Sequence, residues 1–285
     1  MDGVSQVTQC PIGPQSTFSY KYTASPSGTF WYHSHSGAQR TDGLFGALIV
    51  KEREETIHNI CSELQVHGVR DACQFEDLPE KHTLTLLDWQ EQASLDLFVQ
   101  ALGGVGFYPN KSYGEVPTPD DKGYASTKSF EGAGVGPIPY FSGIINGKGR
   151  HAGVPYNKTR LSIFTVEAGN IYRFRLIGAQ GLYAYRFSID GHKLTVVGTD
   201  GYWLEPVKDV DYIIVHTGER YDFLLNATNA SGLNNYWIRA ETLERKVNKS
   251  EPPPYQSLGH VAEAILHYKK PGEKDDPDVN VPSTR

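Results

Sequence analysis

Two histidines one residue apart, His33 and His35, stand in the run Gly28-Thr29-Phe30-Trp31-Tyr32-His33-Ser34-His35-Ser36-Gly37-Ala38-Gln39-Arg40-Thr41-Asp42-Gly43-Leu44-Phe45-Gly46. On an extended segment, rising roughly 3.3 Å per residue, side chains two apart project from one face, which sets the imidazoles about 6–7 Å apart. That spacing lets them serve two different metal ions. Neutral imidazole ligates copper, zinc, iron and nickel alike, so the bare His-x-His permits metal ligation and says nothing more; a pair of surface or strand-pairing histidines without metal is the other reading of it. A hydrolytic zinc or copper site needs at least three clustered ligands and an activated water, and no third ligand is visible beside the pair. Asp42 has two roles open to it. Metal-bound histidine usually donates its other N–H to a carboxylate or carbonyl, and an Asp before Gly43 is also an ordinary turn residue.

The whole run resembles the second copper motif of the multicopper oxidases, the family of laccases, ascorbate oxidases and ferroxidases. The resemblance is carried by His33-Ser34-His35, Gln39 and the turn Asp42-Gly43-Leu44-x-Gly46. It implies that His33 and His35 each ligate a different type 3 copper of a trinuclear cluster, where dioxygen is reduced to water. Met1-Asp2-Gly3-Val4 and Thr8-Gln9-Cys10-Pro11-Ile12 resemble a segment partway through the family's first cupredoxin domain. The family has a carboxylate near the cluster at the position of Asp2. Reducing dioxygen consumes protons, and a carboxylate there can relay them.

No His-Pro-x-His-x-His or His-Cys-His element, the family's two C-terminal copper motifs, occurs in the 285 residues. The chain is therefore expected to be an internal part of a longer polypeptide, lacking a type 1 copper site and inert alone. For the intact protein the resemblance implies one-electron oxidation of phenols or aromatic amines. A ferroxidase, taking ferrous iron, shares every motif present. A catalytically inactive cupredoxin-like structural module would leave His33, His35, Gln39 and Asp42 in one motif unexplained. In fungal laccases an acid on domain 2 orients phenols and amines; the matching position here is Leu182, a departure that leaves the reductant open. His192, His216, His151, His67 and His58 stand isolated and are read as non-ligands, His192 as a hydrogen-bonded structural residue.

Composition agrees with a globular chain. A formal charge of −6, with no basic stripe, argues against nucleic acid and anionic membrane as partners, and no apolar run approaches the roughly 20 residues of a membrane span. The first residues have neither the basic nor the apolar region of a signal peptide. Asn-x-Ser/Thr sequons at Asn110, Asn157, Asn226, Asn229 and Asn248 nevertheless fit a glycosylated, secreted protein. Cys61 and Cys73 bracket a short polar stretch and could close a disulfide in an oxidising compartment, with Cys10 left over.

The elements that must position the pair are strands. Thr17 to Thr23 alternates polar and aromatic residues with the period of a half-buried strand. Thr29 to His35 and Phe45 to Val50 follow as strands separated by an Asp42-Gly43 turn. Residues 1–52 are expected to be the closing part of cupredoxin domain 1, and 53–80 an interdomain loop of little periodicity. Residues 81–268 are expected to be a complete cupredoxin domain 2, and 269–285 a linker. Within domain 2, His82 to Trp89 reads as a strand, Glu91 to Leu102 as a short helix, and Gly103 to Pro139 as a loop excursion. Ile144 to Gly149, Tyr172 to Ile177, Phe187 to His192, Gly218 to Phe223 and Ala264 to Tyr268 resemble strands and turns of that domain. The expected fold is all-β, cupredoxin-like Greek-key sandwich or barrel domains, the first incomplete.

Overall fold

A computed structural model describes residues 3–69, 74–102, 140–151, 160–228, 233–243, 245–246, 256–257, 260–270 and 272–273. Strands β1 (Gly28–His33) and β2 (Phe45–Val50) form an antiparallel hairpin in register from Gly28↔Val50 to His33↔Phe45. Helices α1 (Glu54–Val66) and α2 (Pro79–His82) lead into β3 (Thr83–Trp89) and α3 (Ser94–Leu102). Then come β4 (Ser142–Ile145), β5 (Lys148–Gly149), β6 (Ile163–Val166), β7 (Ile171–Gly178), β8 (Tyr185–Ile189) and β9 (Leu194–Thr199). They are followed by β10 (Tyr202–Val210), β11 (Ile213–Val215), β12 (Arg220–Asn226) and β13 (Asn235–Thr242). The short β14 (Arg245–Lys246) and β15 (Gln256–Ser257) precede β16 (Val261–Tyr268).

Two sheets make a sandwich, one ordered β10-β9-β12-β7-β3-β4-β5 and the other β11-β8-β13-β16-β6. Each is mostly antiparallel with one parallel pair, β3 with β7 and β16 with β6. The core forms where inward residues meet: Leu84, Leu86, Phe174, Leu176 and Phe223 from one sheet, and Phe164, Phe187, Ile238, Ala264 and Leu266 from the other. Phe174 and Phe223 stack with ring centroids 5.5 Å apart.

The outer face of the larger sheet is covered too. In β7 the core-facing Tyr172, Phe174 and Leu176 alternate with Arg173 and Arg175, which point outward yet are also buried. Part of this outer face is covered by the β1–β2 hairpin, whose Thr29 meets Arg175, and another part by α1. Ile60 and Leu64 of α1 pack on Val197, Leu224 and Trp203 of the sheet. A helix spans much of the stretch expected to be an aperiodic loop. Its apolar positions Ile57, Ile60, Cys61 and Leu64 recur at helical spacing, and Glu54 and Glu55 in its first turn suit the positive end of the helix dipole.

Thr17 to Thr23 forms no strand: Phe18, Tyr20 and Tyr22 are 42%, 47% and 63% exposed. Alternation alone does not make a strand without a neighbour to complete its ladder. The hairpin also differs in detail, because β1 ends at His33 and the connection to β2 runs from Ser34 to Leu44 rather than turning on two residues. The expected excursion at 103–139 lies outside the described residues, as do Cys73 and most of 269–285.

Candidate metal centre

His33 closes β1 and His35 follows one residue beyond it. Their rings stack, with centroids 4.5 Å apart and planes 25° apart. The side chains do share one face as expected, and they approach more closely than an extended backbone alone dictates. His33 lies in turn 4.4 Å from the Trp31 ring, which meets Phe45 across the hairpin edge-on at 6.1 Å. The Nδ1 of His33 lies 3.0 Å from the Ser34 carbonyl oxygen. A carbonyl can only accept, so Nδ1 carries the proton and the Nε2 lone pair remains for a metal.

The loop after the pair is wound tightly. Thr41 and Asp42 donate backbone N–H groups to the Ala38 carbonyl, Gly43 to that of Arg40 and Leu44 to that of Gln39. Ser34 Oγ donates to Gln39 Oε1 at 2.6 Å, which gives the motif glutamine a structural task. Gly46 lies opposite Tyr32, and a Cβ there would come within 2.4 Å of the tyrosine hydroxyl. The Asp42 carboxylate accepts the Ser94 N–H at 2.8 Å, at the start of α3, so its visible role is to fasten the loop to that helix. Arg40 donates to the Gln180 carbonyl at 3.2 Å.

Gln180 begins a turn that is itself organised by a residue sequence reasoning missed. Asp88, fully buried at the end of β3, accepts N–H bonds from Gly181, Leu182 and Tyr183 at 2.6, 2.7 and 2.9 Å. Burial pushes its carboxyl above the ordinary range, against the lowering effect of those three donors.

At its other end β1 is anchored by a second unforeseen group. Thr29 Oγ1 donates to Asp222 Oδ1 at 2.5 Å and accepts from Arg175 at 2.7 Å. Arg173 reaches Asp222 at 2.5 Å, Glu52 at 2.8 Å and Asp77 at 3.2 Å, and Arg175 reaches Asp77 at 2.6 Å. Burial works to raise the Glu52 carboxyl, but the arginines outweigh it and hold the group below the ordinary range. The signal available in the sequence was the pair of arginines at alternate positions of an otherwise apolar strand.

Of the other candidates, Asp2 lies outside the described residues. His192 has both ring nitrogens within hydrogen-bonding distance of protein oxygens, Asp190 O at 2.9 Å and the Tyr268 hydroxyl at 2.6 Å. Leu182 sits beside the loop of residues 34–44, on the turn that Asp88 holds. Among the described residues no group of three or more His, Cys, Asp or Glu is placed to hold a metal ion. The His33–His35 pair suits copper in donor type and in the free Nε2 of His33, and by itself it is an incomplete ligand set.

Two family profiles, each described as multicopper oxidase, match residues 80–271 and 1–55. Laccase-2 of Fomitopsis schrenkii is 33% identical over 268 residues, spanning 94% of this chain and 39% of its own length. Laccase-2 of Agaricus bisporus is 30% identical over 282 residues, spanning 99% and 44%. Among solved structures, a laccase from Botrytis aclada superposes with a TM-score of 0.61 at 26% identity. Fet3p, a multicopper oxidase that functions in iron import, superposes with a TM-score of 0.59 at 26% identity. Each of these two alignments covers 100% of this chain and 42% of the other. The chain thus spans about two fifths of the length of the relatives it matches.

Proposed function

Because the chain belongs to the multicopper oxidase family, we propose that it is part of a copper-dependent oxidase in which His33 and His35 each hold one type 3 copper of a trinuclear cluster. The remaining ligands would come from sequence beyond these 285 residues. The observation that carries the reading is the paired imidazoles on one face of a clamped hairpin, with the His33 Nδ1 proton held by Ser34. When bound, copper supplies one-electron chemistry, accepting electrons singly from a reductant and delivering them together to dioxygen to give water. The chain's own residues do the positioning: Ser34 fixes the His33 tautomer, Gln39 and Asp42 fasten the loop, and the Thr29 cluster holds the strand. Asp2 is assigned the relay of protons to the reduced oxygen.

Phenols or aromatic amines are the reductants of the first reading, supported by the likeness to named laccases. Ferrous iron is the second, supported by the likeness to Fet3p. Secretion is part of the proposal. The sequon asparagine Asn226 is exposed at the end of β12, where a glycan can be carried. No helix among the described residues is long and apolar enough to cross a membrane.

The test is His33→Ala and His35→Ala, singly and together, in the full-length protein, with copper measured by mass spectrometry and turnover by oxygen uptake. Loss of copper and of oxygen uptake is expected for each. Full copper stoichiometry with undiminished turnover in the double variant would show the assignment to be wrong.

A further inference from the structure

Strands β3 and β7 run parallel, in register from Thr83↔Arg175 to Leu86↔Gly178, so both head for the same end of the larger sheet. Asp88 therefore stands beside the turn that follows β7, although 93 to 95 residues separate it along the chain from Gly181, Leu182 and Tyr183. Its buried carboxylate takes the N–H groups of all three, in charge-assisted bonds that are short and strong. The turn is held from its other side by Gln180, itself fully buried, which donates its Nε2–H to the Val215 carbonyl of β11 at 2.9 Å. Both sheets thus fix the turn. The loop of residues 34–44 then rests on it at two points. Arg40 donates to the Gln180 carbonyl, and Thr41 packs so closely on Gly181 that a Cβ at residue 181 would come within 2.9 Å of its Cγ2. A third support, Asp42 on the Ser94 N–H, lies on α3, the next element after β3.

We propose that Asp88 is a positioning residue for the His33–His35 pair, acting through the turn at residues 180–183 on the loop that follows the pair. Without the carboxylate, three N–H groups of the turn lose their acceptor, and Arg40 and Thr41 lose the fixed surface on which they rest. Groups behind a metal ligand set its affinity because they hold the ligand in one geometry. Asp88 does so at one remove, from the second domain to the loop of the first. Its consequence for copper rests on the oxidase reading. The mechanical link itself needs no metal.

The test follows hydrogen exchange by mass spectrometry in the copper-free full-length protein, and copper affinity by titration against a competing chelator. The amides of Thr41, Asp42, Gly43 and Leu44, bonded within the loop, report its order. Asp88→Asn keeps the shape of the side chain and turns one acceptor oxygen into a donor. The loop amides should then exchange about ten-fold faster, while those of β13 and β16 keep their rates and copper binding weakens by about ten-fold. Gly181→Ala pushes on Thr41 and Arg40→Ala releases Gln180. Both leave the Asp88 bonds formed and should have the same effects, so the outcome does not depend on whether Asp88→Asn folds. Combining Asp88→Asn with Arg40→Ala should weaken copper little more than either alone, because both cut one link. Unchanged loop exchange in Asp88→Asn or in Gly181→Ala, a rise of equal size in β13 and β16, or additive losses in the double variant would each overturn the proposal. The copper reading fails separately, through retained copper in the His33 and His35 variants, and faster loop exchange in Asp88→Asn would still bear out the link.

Discussion

The hydrogen bond from His33 Nδ1 to the Ser34 carbonyl turns a common ring into one with its Nε2 lone pair available, and it does so through the backbone of the next residue. The closeness of the two imidazoles is legible in the sequence because their spacing is local. Asp88 is the contrary case: its three N–H partners lie at residues 181–183, and nothing near it in the chain announces them. Asp2 lies outside the described residues, and its relay role remains a proposal drawn from its neighbours in the segment Met1-Asp2-Gly3-Val4. In the intact oxidase, Asp2→Asn should keep copper loading and slow reoxidation of the reduced enzyme by dioxygen, on the order of the 10²–10⁴-fold contribution of a positioned acid. Stopped-flow reoxidation measures this, and an unchanged rate would reduce Asp2 to a turn residue.

Among the elements, β2 fell where its apolar run placed it, whereas α1 and Thr17 to Thr23 did not. The strand-like alternation of residues 17–23 lacked a neighbour to pair with, and α1 was obscured by the charged residues around its narrow apolar stripe. The alternate arginines of β7 signal an unusual outer face, but the carboxylates that permit their burial come from residues 52, 77 and 222 and cannot be read from that strand. The cluster is sensitive to loss of Asp222, because this carboxylate accepts both the Thr29 hydroxyl and an Arg173 N–H, and removing it leaves buried donors, one of them charged, without their acceptor. Asp222→Ala should therefore cost about 3–5 kcal/mol. The expected sign in urea titration is a lower midpoint at unchanged slope, and a shift of only a few tenths of a kcal/mol would mean that water reaches the cluster.

Across the whole molecule, three histidines are disposed to resist protonation. Burial lowers His82, His192 and His260, the last to about 4 from its ordinary 6.5. The unfolded chain takes up these protons below about pH 6.5 and the folded chain does not, so stability falls as pH drops from 6.5 towards 4, and the depressed Glu52 acts in the same sense at lower pH. The His260 ring stacks on Tyr140 at 4.6 Å, a place a phenyl ring can take. Between pH 7 and 5, His260→Phe should lose about 2 kcal/mol less than the unaltered chain in urea unfolding, and identical losses would show that His260 titrates normally. The same whole-molecule view gives the Thr29 anchor a mechanical meaning. Thr29 and His33 are four residues apart on one strand, a lever arm of about 13 Å at strand rise. Metal–ligand distances tolerate only ~0.2 Å, so a tilt of about one degree at the pivot uses up that margin. A strand pinned at Thr29 by buried charges and at its far loop by Arg40 and Asp42 is a beam supported at both ends, and a beam so supported tilts least.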